Sequence, residues 1–457
     1  MWWRFTPLLG LVAAPALAAH PQCILALPST NPTPLAAHSP TSSVPVSSQT
    51  STFPTPSSTP FVAFPYGSTP IRGVNLGGWF VLEPWITPSI FINTKNDAIV
   101  DEYTFGQMQD YQTALGVLRQ HWDTWITEED FMAIAAAGLT HVRLPIGYWS
   151  VPSNVSVSPY IPGAWSYIQR AVTWARKHGL HTIIDLHGAP GSQNGYDNSG
   201  RRTNSPQWAL HPANVNATLA IMQVIASQLG PQVDAIELLN EVAGFYGQVW
   251  DSAVRDYWRR GFDAVRQAAG DDVVVVLGDA FEGVNNWQGF FPDPQGNRVM
   301  MDYHEYQIFS DGELSRSHDQ HIQFVCRNIL PNLAAFASNN MWTVSGEWST
   351  AITDCAQWLN GRGTGARWDG SIGGGGTIFG SCEGFTGNWT TFSQDYVAFL
   401  RKYWEVQVEL GEAVQGWIYW TWKTESADEW SYQKGVEGGW IPQDPSQRLY
   451  PGLCNGT

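Results

Sequence analysis

The stretch Trp342–Ser349, WTVSGEWS, is a bulky apolar run that ends abruptly in one carboxylate, Glu347, set between Gly346 and Trp348. Its side chains alternate poorly, which suits a strand covered on both faces, as in a parallel sheet. Such a strand would deliver its acid into a cleft. A single Glu after an apolar run is also read as a capping or turn carboxylate, so the wider chain has to supply partners for it.

Working outward from Trp342, short β-rich segments alternate with longer helical ones, the pattern of parallel strands joined by crossover helices. Eight strands are expected: Ile71–Leu76, Thr140–Leu144, His181–Leu186, Ala235–Leu239, Val273–Leu277, Val299–Tyr303, Trp342–Ser345 and Gly416–Trp420. Between them, Thr127 caps a helix with Phe131, Ile134 and Ala135 on one face and Asp130 as its capping-box acid. Further helices are expected over Ala164–His178, Pro212–Leu229, Gln248–Ala269, Asp319–Ser338 and Phe392–Glu409. Eight β/α units in about 390 residues predict an α/β fold of the single TIM (β/α)8 barrel type with long βα loops, a doubly wound open sheet being the alternative. The run Gly373–Gly376 follows no strand and opens no helix, so it reads as a flexible loop between the last two strands and not as a phosphate cradle.

In a barrel, polar residues just past the carboxyl ends of the strands face one site. The first strand leads to Glu83, the second contains Arg143, the third ends in His187, the fourth in Asn240 with Glu241, the sixth in His304 with Tyr306, the seventh in Glu347 and the eighth in Trp420. Glu241 follows the apolar run Ala-Ile-Glu-Leu-Leu-Asn, so it too is an acid delivered by a strand. Two acids across a barrel mouth are what glycoside hydrolysis requires, one protonating the leaving oxygen and one attacking the anomeric carbon. An ion pair is the structural alternative for Glu241, against which Asn240 beside it weighs as a holder of a sugar hydroxyl. As the acid, Glu241 should have a raised pKa, while Arg143 should keep Glu347 ionised. His187 and His304 lie in no close ligand pair such as H-E-x-x-H, so a hydrogen-bonding role is preferred to a metal site, and no metal or cofactor is expected. The absence of a G-x-S-x-G elbow weakens a serine esterase reading.

Composition narrows the partner. Aromatic residues make up 13% of the chain, 24 of them Trp, which fits sugar-stacking surfaces as well as a filled core. The net charge of −16 argues against nucleic acid and anionic membranes, and a neutral substrate fits best. Arg4 precedes an apolar segment, Leu8–Ala19, that closes on Ala16-Leu17-Ala18, so residues 1–19 read as a secretory signal peptide. Residues 20–62, rich in Ser, Thr and Pro, read as a disordered linker or propeptide, and 63–457 as the catalytic domain. Export allows disulfides, and Cys326, Cys355, Cys382 and Cys454 permit three pairings that spacing does not resolve, with Cys23 left over. The sequons at Asn154, Asn216, Asn388 and Asn455 suit a secreted or cell-wall glycoprotein, expected to act as a monomer.

The motifs RGVNLGGWFVLEPW (72–85), VRLPIGYW (142–149), DLHGAPGSQNGYDNSG (185–200), ELLNE (237–241), HEYQIF (304–309), SGEWS (345–349) and GWIYWTWKTE (416–425) together resemble the fungal exo-β-1,3-glucanases of glycoside hydrolase family 5. The resemblance spans nearly the whole chain after the Ser/Thr/Pro-rich segment. It implies a (β/α)8 barrel and a retaining mechanism with Glu241 as acid/base and Glu347 as nucleophile. It also implies sugar contacts from Glu83, Arg143, His187, Asn240, His304, Tyr306 and Trp420. An aromatic clamp is implied at Tyr196 and Phe309, and disulfides Cys326–Cys454 and Cys355–Cys382. Two positions depart from the family pattern: Val242 stands for the usual Pro after the acid, and Glu305 for the usual second His. Glu305 is expected to add negative charge near the cleft and raise a neighbouring carboxylate's pKa. The resemblance implies release of glucose from the non-reducing ends of β-1,3-glucan. Alternatives are a diglycosidase similar to fungal rutinosidases, and a catalytically inactive carbohydrate-binding wall protein on the same barrel.

Overall fold

Eight parallel strands close into one barrel in chain order: β1 (Ile71–Asn75), β2 (His141–Gly147), β3 (His181–Gly188), β4 (Ala235–Glu237), β5 (Val274–Gly278), β6 (Val299–Glu305), β7 (Trp342–Trp348) and β8 (Gly416–Tyr419). The closing pair is β8 with β1, in the register Ile71 against Gly416. The architecture is thus the expected TIM barrel, and all eight expected strands are present. This computed structural model describes residues 62–455. The expected signal peptide, almost all of the Ser/Thr/Pro-rich segment and Cys23 lie outside the described residues.

The strands are buried on both faces because helices cover the outside and side chains fill the inside. Inward positions recur every second residue, which sets the layers of the interior. The lowest layer is apolar: Ile71, Ile183, Ala235, Val274, Val276, Met300, Val344 and Ile418 form one buried cluster with Phe64. One step further along several of these strands the inward residue turns polar. Ile183 gives way to Asp185 and then His187, Ala235 to Glu237, and Met300 to Asp302 and then His304. The polar site therefore stands on an apolar floor.

The helices follow the sequence closely. Those over Pro212–Leu229 and Gln248–Ala269 match residue for residue. The helix expected over Asp319–Ser338 runs from His318 to Asn339, with one π-helical stretch at Val325–Ile329. At Thr127 the backbone N–H donates to Asp130 Oδ2 at 2.8 Å, and Phe131 and Ile134 are buried as their spacing requires. Two disulfides are present, Cys326–Cys454 and Cys355–Cys382. The second lies in the long segment between β7 and β8, where Gly373–Gly376 is an exposed loop. Among the described residues, no helix is long and apolar enough to cross a membrane.

The core holds several carboxyl groups whose burial shapes the stability of the fold. Burial raises Glu102 to about 8, although Leu82 N–H and Trp149 Nε1–H donate to it. Burial likewise raises Glu237 to about 8 despite the charge of Arg143, and Glu429 to about 8. In the unfolded chain these groups lose their protons near about 4.3. Each therefore adds stability that is complete below that value and is lost as pH rises through its folded pKa. Buried His121 and His187, lowered to about 4, work in the opposite sense, but only below about 6.5, where the unfolded imidazole becomes protonated. Above that pH the raised groups prevail, each such carboxyl losing up to about 1.4 kcal/mol per pH unit. Thermal unfolding should accordingly show a Tm that declines from about pH 6.5 to about pH 8; a flat or rising Tm would contradict this.

Candidate active site

Glu347 reaches the site through a fault in strand register. Tyr303 of β6 pairs with Ser345 of β7, but His304 pairs with Glu347, so Gly346 is an extra residue. A bulge of this kind re-aims the side chain that follows it. The extra residue has to be glycine, because a Cβ at 346 would fall within the Asp302 carboxylate of β6.

Arg143 is the hub beneath Glu347. It is fully buried, its Nη1 donating to Glu347 Oε1 at 2.8 Å and to Asn75 Oδ1 at 3.0 Å. Its Nε donates to Glu237 Oε2 at 2.7 Å, and Nη2 to Asn240 Oδ1 at 2.8 Å and toward Asp185 Oδ2 at 3.1 Å. Burial works against the guanidinium, but Asp185, Glu237 and Glu347 together hold it charged. Arg143 therefore orients the amide of Asn240 and one oxygen of Glu347 through the same planar group. The second oxygen of Glu347 accepts from Tyr306 Oη at 3.0 Å.

Glu241 stands opposite. It closely follows β4 and holds a φ of 45°, in the left-handed region that L residues seldom occupy. Bonds on both sides secure this conformation: Asn240 N–H donates to Leu186 O at 3.0 Å and Ala243 N–H to Gln193 O at 3.1 Å. Gln193 adds a third tie, its side-chain amide donating to the carbonyls of His187 at 2.7 Å and Asn240 at 3.1 Å. A strained backbone costing roughly 1–3 kcal/mol is thus kept at the residue that aims the carboxyl.

His304 lies between the two acids. Its Nδ1 is 2.9 Å from Glu241 Oε1 and 3.5 Å from Glu347 Oε2, and its Nε2 is 3.4 Å from Asp302 Oδ2. One oxygen of each acid and a nitrogen of His304 all lie within 4.8 Å of one another. Asn198 Nδ2 donates to the other oxygen of Glu241 at 2.7 Å.

Electrostatics here differ from the expected pattern. Burial pushes Glu241 up, but the hydrogen bond and charge of His304, helped by His187 and Asn198, outweigh it and leave Glu241 below its ordinary value. In Glu347 burial prevails over His304 and Arg143, and its pKa is raised. Burial alone would lower His304, but Glu347, Asp302 and Glu241 raise it well above the ordinary imidazole value. The reason for the reversal is the position of His304, which is hydrogen-bonded to Glu241 at 2.9 Å and stands farther from Glu347, at 3.5 Å. A second correction concerns Glu305. It points away from the site, accepting from Tyr303 Oη at 2.7 Å, and burial raises it to about 7. It is not among the leading groups that shift Glu241 or Glu347.

The remaining expected residues surround this centre. His187 Nδ1 is 2.6 Å from Asp185 Oδ2, and its ring lies nearly parallel to Trp420 at 5.5 Å. Glu83 accepts from Trp85 Nε1 at 3.0 Å through Oε2, while its Oε1 is buried without a partner. Burial, then the charges of Asp197, Glu347 and Glu241, raise Glu83 well above its ordinary value. Asp197, raised to about 7 chiefly by burial, also has a buried oxygen, Oδ2, without a partner.

Known proteins are similar to this chain in sequence and in fold. Residues 100–361 match the family "Cellulase (glycosyl hydrolase family 5)". A glucan 1,3-beta-glucosidase of Blumeria graminis is 43% identical over 86% of this chain and 91% of its own. A probable glucan 1,3-beta-glucosidase A of Aspergillus niger is 42% identical over 86% of this chain and 92% of its own. The chain belongs to glycoside hydrolase family 5. A rutinosidase crystal structure from Aspergillus niger shares the fold, with a TM-score of 0.65 at 19% identity over 83% of this chain and 100% of that one.

For a family 5 hydrolase, the site contains three contributors that strand-end reasoning passes over: Asn198, Asp197 and Gln193. All lie on the loop after β3, inside the DLHGAPGSQNGYDNSG segment but several residues beyond the strand. An amide and an acid two and one residues past Tyr196 carry no periodic signal, so only the resemblance points to that segment. Tyr196 and Phe309, the expected clamp, are both exposed. The sequon residues Asn154, Asn216, Asn388 and Asn455 are exposed as well.

Proposed function

We propose that this family 5 enzyme is a retaining exo-β-1,3-glucosidase, with Glu347 as nucleophile and Glu241 as acid/base. The observation that carries the reading is the approach of Glu241 and Glu347 oxygens to within 4.8 Å across His304. Retaining pairs stand about 5–5.5 Å apart, whereas inverting pairs leave about 6.5–9.5 Å for a water. Glu347 attacks the anomeric carbon, with Arg143 and Tyr306 each bonded to one of its oxygens. Glu241 and His304 Nδ1 share one proton across their hydrogen bond, and Glu241 delivers it to the leaving oxygen. Glu241 is then a carboxylate beside a neutral imidazole. It takes a proton from the water that cleaves the glycosyl ester, which restores the shared proton, and Glu347 leaves as a carboxylate. Protons balance over the cycle.

The unpartnered oxygens of Glu83 and Asp197 support exo action. Buried polar atoms without partners are costly, and sugar hydroxyls at a non-reducing end, which both donate and accept, would satisfy them. The names of the curated relatives support β-1,3-glucan as the substrate class. Secretion, with the 1–19 signal peptide removed and glycans on some of the four sequons, completes the proposal.

Incubation with laminarin, rutin and cellulose tests it. Glucose should appear from laminarin from the first time points, as the sole early product. Rutinose from rutin would make the enzyme a diglycosidase, and laminarin binding without turnover of any substrate would make it a binding protein.

A further inference from the structure

Three buried carboxyl groups stand around one guanidinium in the layer beneath the acids: Asp185 of β3, Glu237 of β4 and Asp302 of β6. Arg143 is shared unequally among them. It donates to Glu237 at 2.7 and 3.1 Å and stands 3.1 Å from Asp185, but 3.9 Å from Asp302. Among the described residues, neither oxygen of Asp302 accepts a directed hydrogen bond. The cationic group nearest to it is His304, whose Nε2 lies 3.4 Å from Oδ2. A buried carboxylate in this position is costly unless that imidazole faces it.

The strands are built to make this contact. Met300, Asp302 and His304 follow one another on the inner face of β6, which sets Asp302 one layer below His304. The bulge in β7 clears the space, since a Cβ at Gly346 would overlap the Asp302 carboxylate. Asp279 N–H donates to the Asp302 carbonyl at 3.2 Å and ties this part of β6 to the end of β5.

The two nitrogens of His304 therefore face different carboxyls. Nδ1 is 2.9 Å from Glu241 Oε1, and Nε2 faces Asp302. In a neutral imidazole one nitrogen keeps its hydrogen and the other accepts, and a carboxylate beside the ring selects the nitrogen that keeps it.

We propose that Asp302 is a positioning residue for the acid/base step: it holds a hydrogen of His304 on Nε2, so that the proton exchanged with Glu241 is the one on Nδ1. The inference rests on the proposed function, in which that proton reaches the leaving oxygen. In the glycosyl-enzyme, Glu241 is a carboxylate and His304 a neutral ring with its Nε2–H toward Asp302. The proton of the incoming water then restores the bond between Glu241 and Nδ1. No proton moves onto Asp302, so the cycle stays balanced.

The other charged or titratable groups around this pair are Arg143, Asp185, Glu237, Asp279 and Glu347. Burial raises Asp185 to about 7, Glu237 to about 8 and Asp279 to about 6. Asp302 helps to raise His304, but it is not among the leading groups that shift Glu347. Its removal should therefore move one limb of the pH profile and spare the other.

The test compares pH profiles of kcat/KM on laminaritriose for the parent enzyme and Asp302→Asn. The alkaline limb should move down by about one pH unit, a tenfold weaker hold on the proton, while the acidic limb stays in place. The first step on 2,4-dinitrophenyl β-glucoside, whose leaving group needs no proton, should stay within about threefold of the parent. An unchanged profile, a uniform loss with both limbs in place, or equal losses on both substrates would overturn the inference. NMR of the parent enzyme labelled with 15N-histidine decides the point whether or not the variant folds. Across the alkaline limb His304 should lose its proton from Nδ1 and keep Nε2–H, and loss from Nε2 would overturn the inference. Failure of the functional reading is separate, since the parent enzyme would then not cleave laminaritriose.

Discussion

Glu347→Gln is expected to lower kcat/KM on laminari-oligosaccharides by about 10^5-fold, the scale of loss when one member of a catalytic unit is removed. The amide keeps the volume of the carboxyl and its oxygen can still accept from Arg143, so the pocket should survive while the nucleophile does not. A second variant, Glu347→Ser, separates chemistry from folding. Supplied with α-glucosyl fluoride, whose geometry mimics the glycosyl-enzyme, it should transfer glucose to an acceptor sugar. A loss of only about tenfold in the first variant, or failure of transfer in a second variant with unchanged Tm, would count against Glu347 as nucleophile.

Glu241→Gln should be selective in a different way. On natural oligosaccharides, whose leaving groups need a proton, the expected loss is about 10^3- to 10^4-fold. On 2,4-dinitrophenyl β-glucoside, whose leaving group needs none, the first step should stay within about tenfold of the parent enzyme. Deglycosylation then limits turnover, and azide should restore it by forming β-glucosyl azide. The pH profile carries a further signature. In the parent enzyme the acidic limb falls as Glu347, raised by burial, takes up a proton; the alkaline limb falls as the proton shared by Glu241 and His304 is lost, at a pH above that of ordinary imidazole. The variant should keep the first limb and lose the second on the activated substrate. Equal losses on both substrates would contradict the assignment.

Much of this architecture is written in local pattern. The strands read as apolar runs of a few residues because both faces are buried, and the long helices over Pro212–Leu229 and Gln248–Ala269 show in their periodicity. His187, Glu241 and Glu347 are legible because a polar residue at the end of an apolar run is costly to bury unless it faces a site, and Arg143 because a charge inside a buried strand needs partners. What the sequence hides is geometry set by tertiary contact. The bulge at Gly346 becomes apparent only once Asp302 is seen to occupy the space of its side chain. Glu305 reads as a cleft residue because it neighbours His304, but strand alternation turns it to the outer face. The reversed pKa pattern of Glu241 and Glu347 depends on His304, whose distance from each acid no spacing reveals. Asn198 and Asp197 lie on a loop, where position in the chain says little about position in the site.

The central claim is a covalent glycosyl ester at the end of β7. Incubation with 2-deoxy-2-fluoro-β-glucosyl fluoride, followed by proteolysis and mass spectrometry, examines that step directly. The inactivated enzyme should carry one fluoroglucosyl group on the peptide containing WTVSGEWS, at Glu347. A label on Glu241, or none on an enzyme that still turns over laminarin, would contradict it.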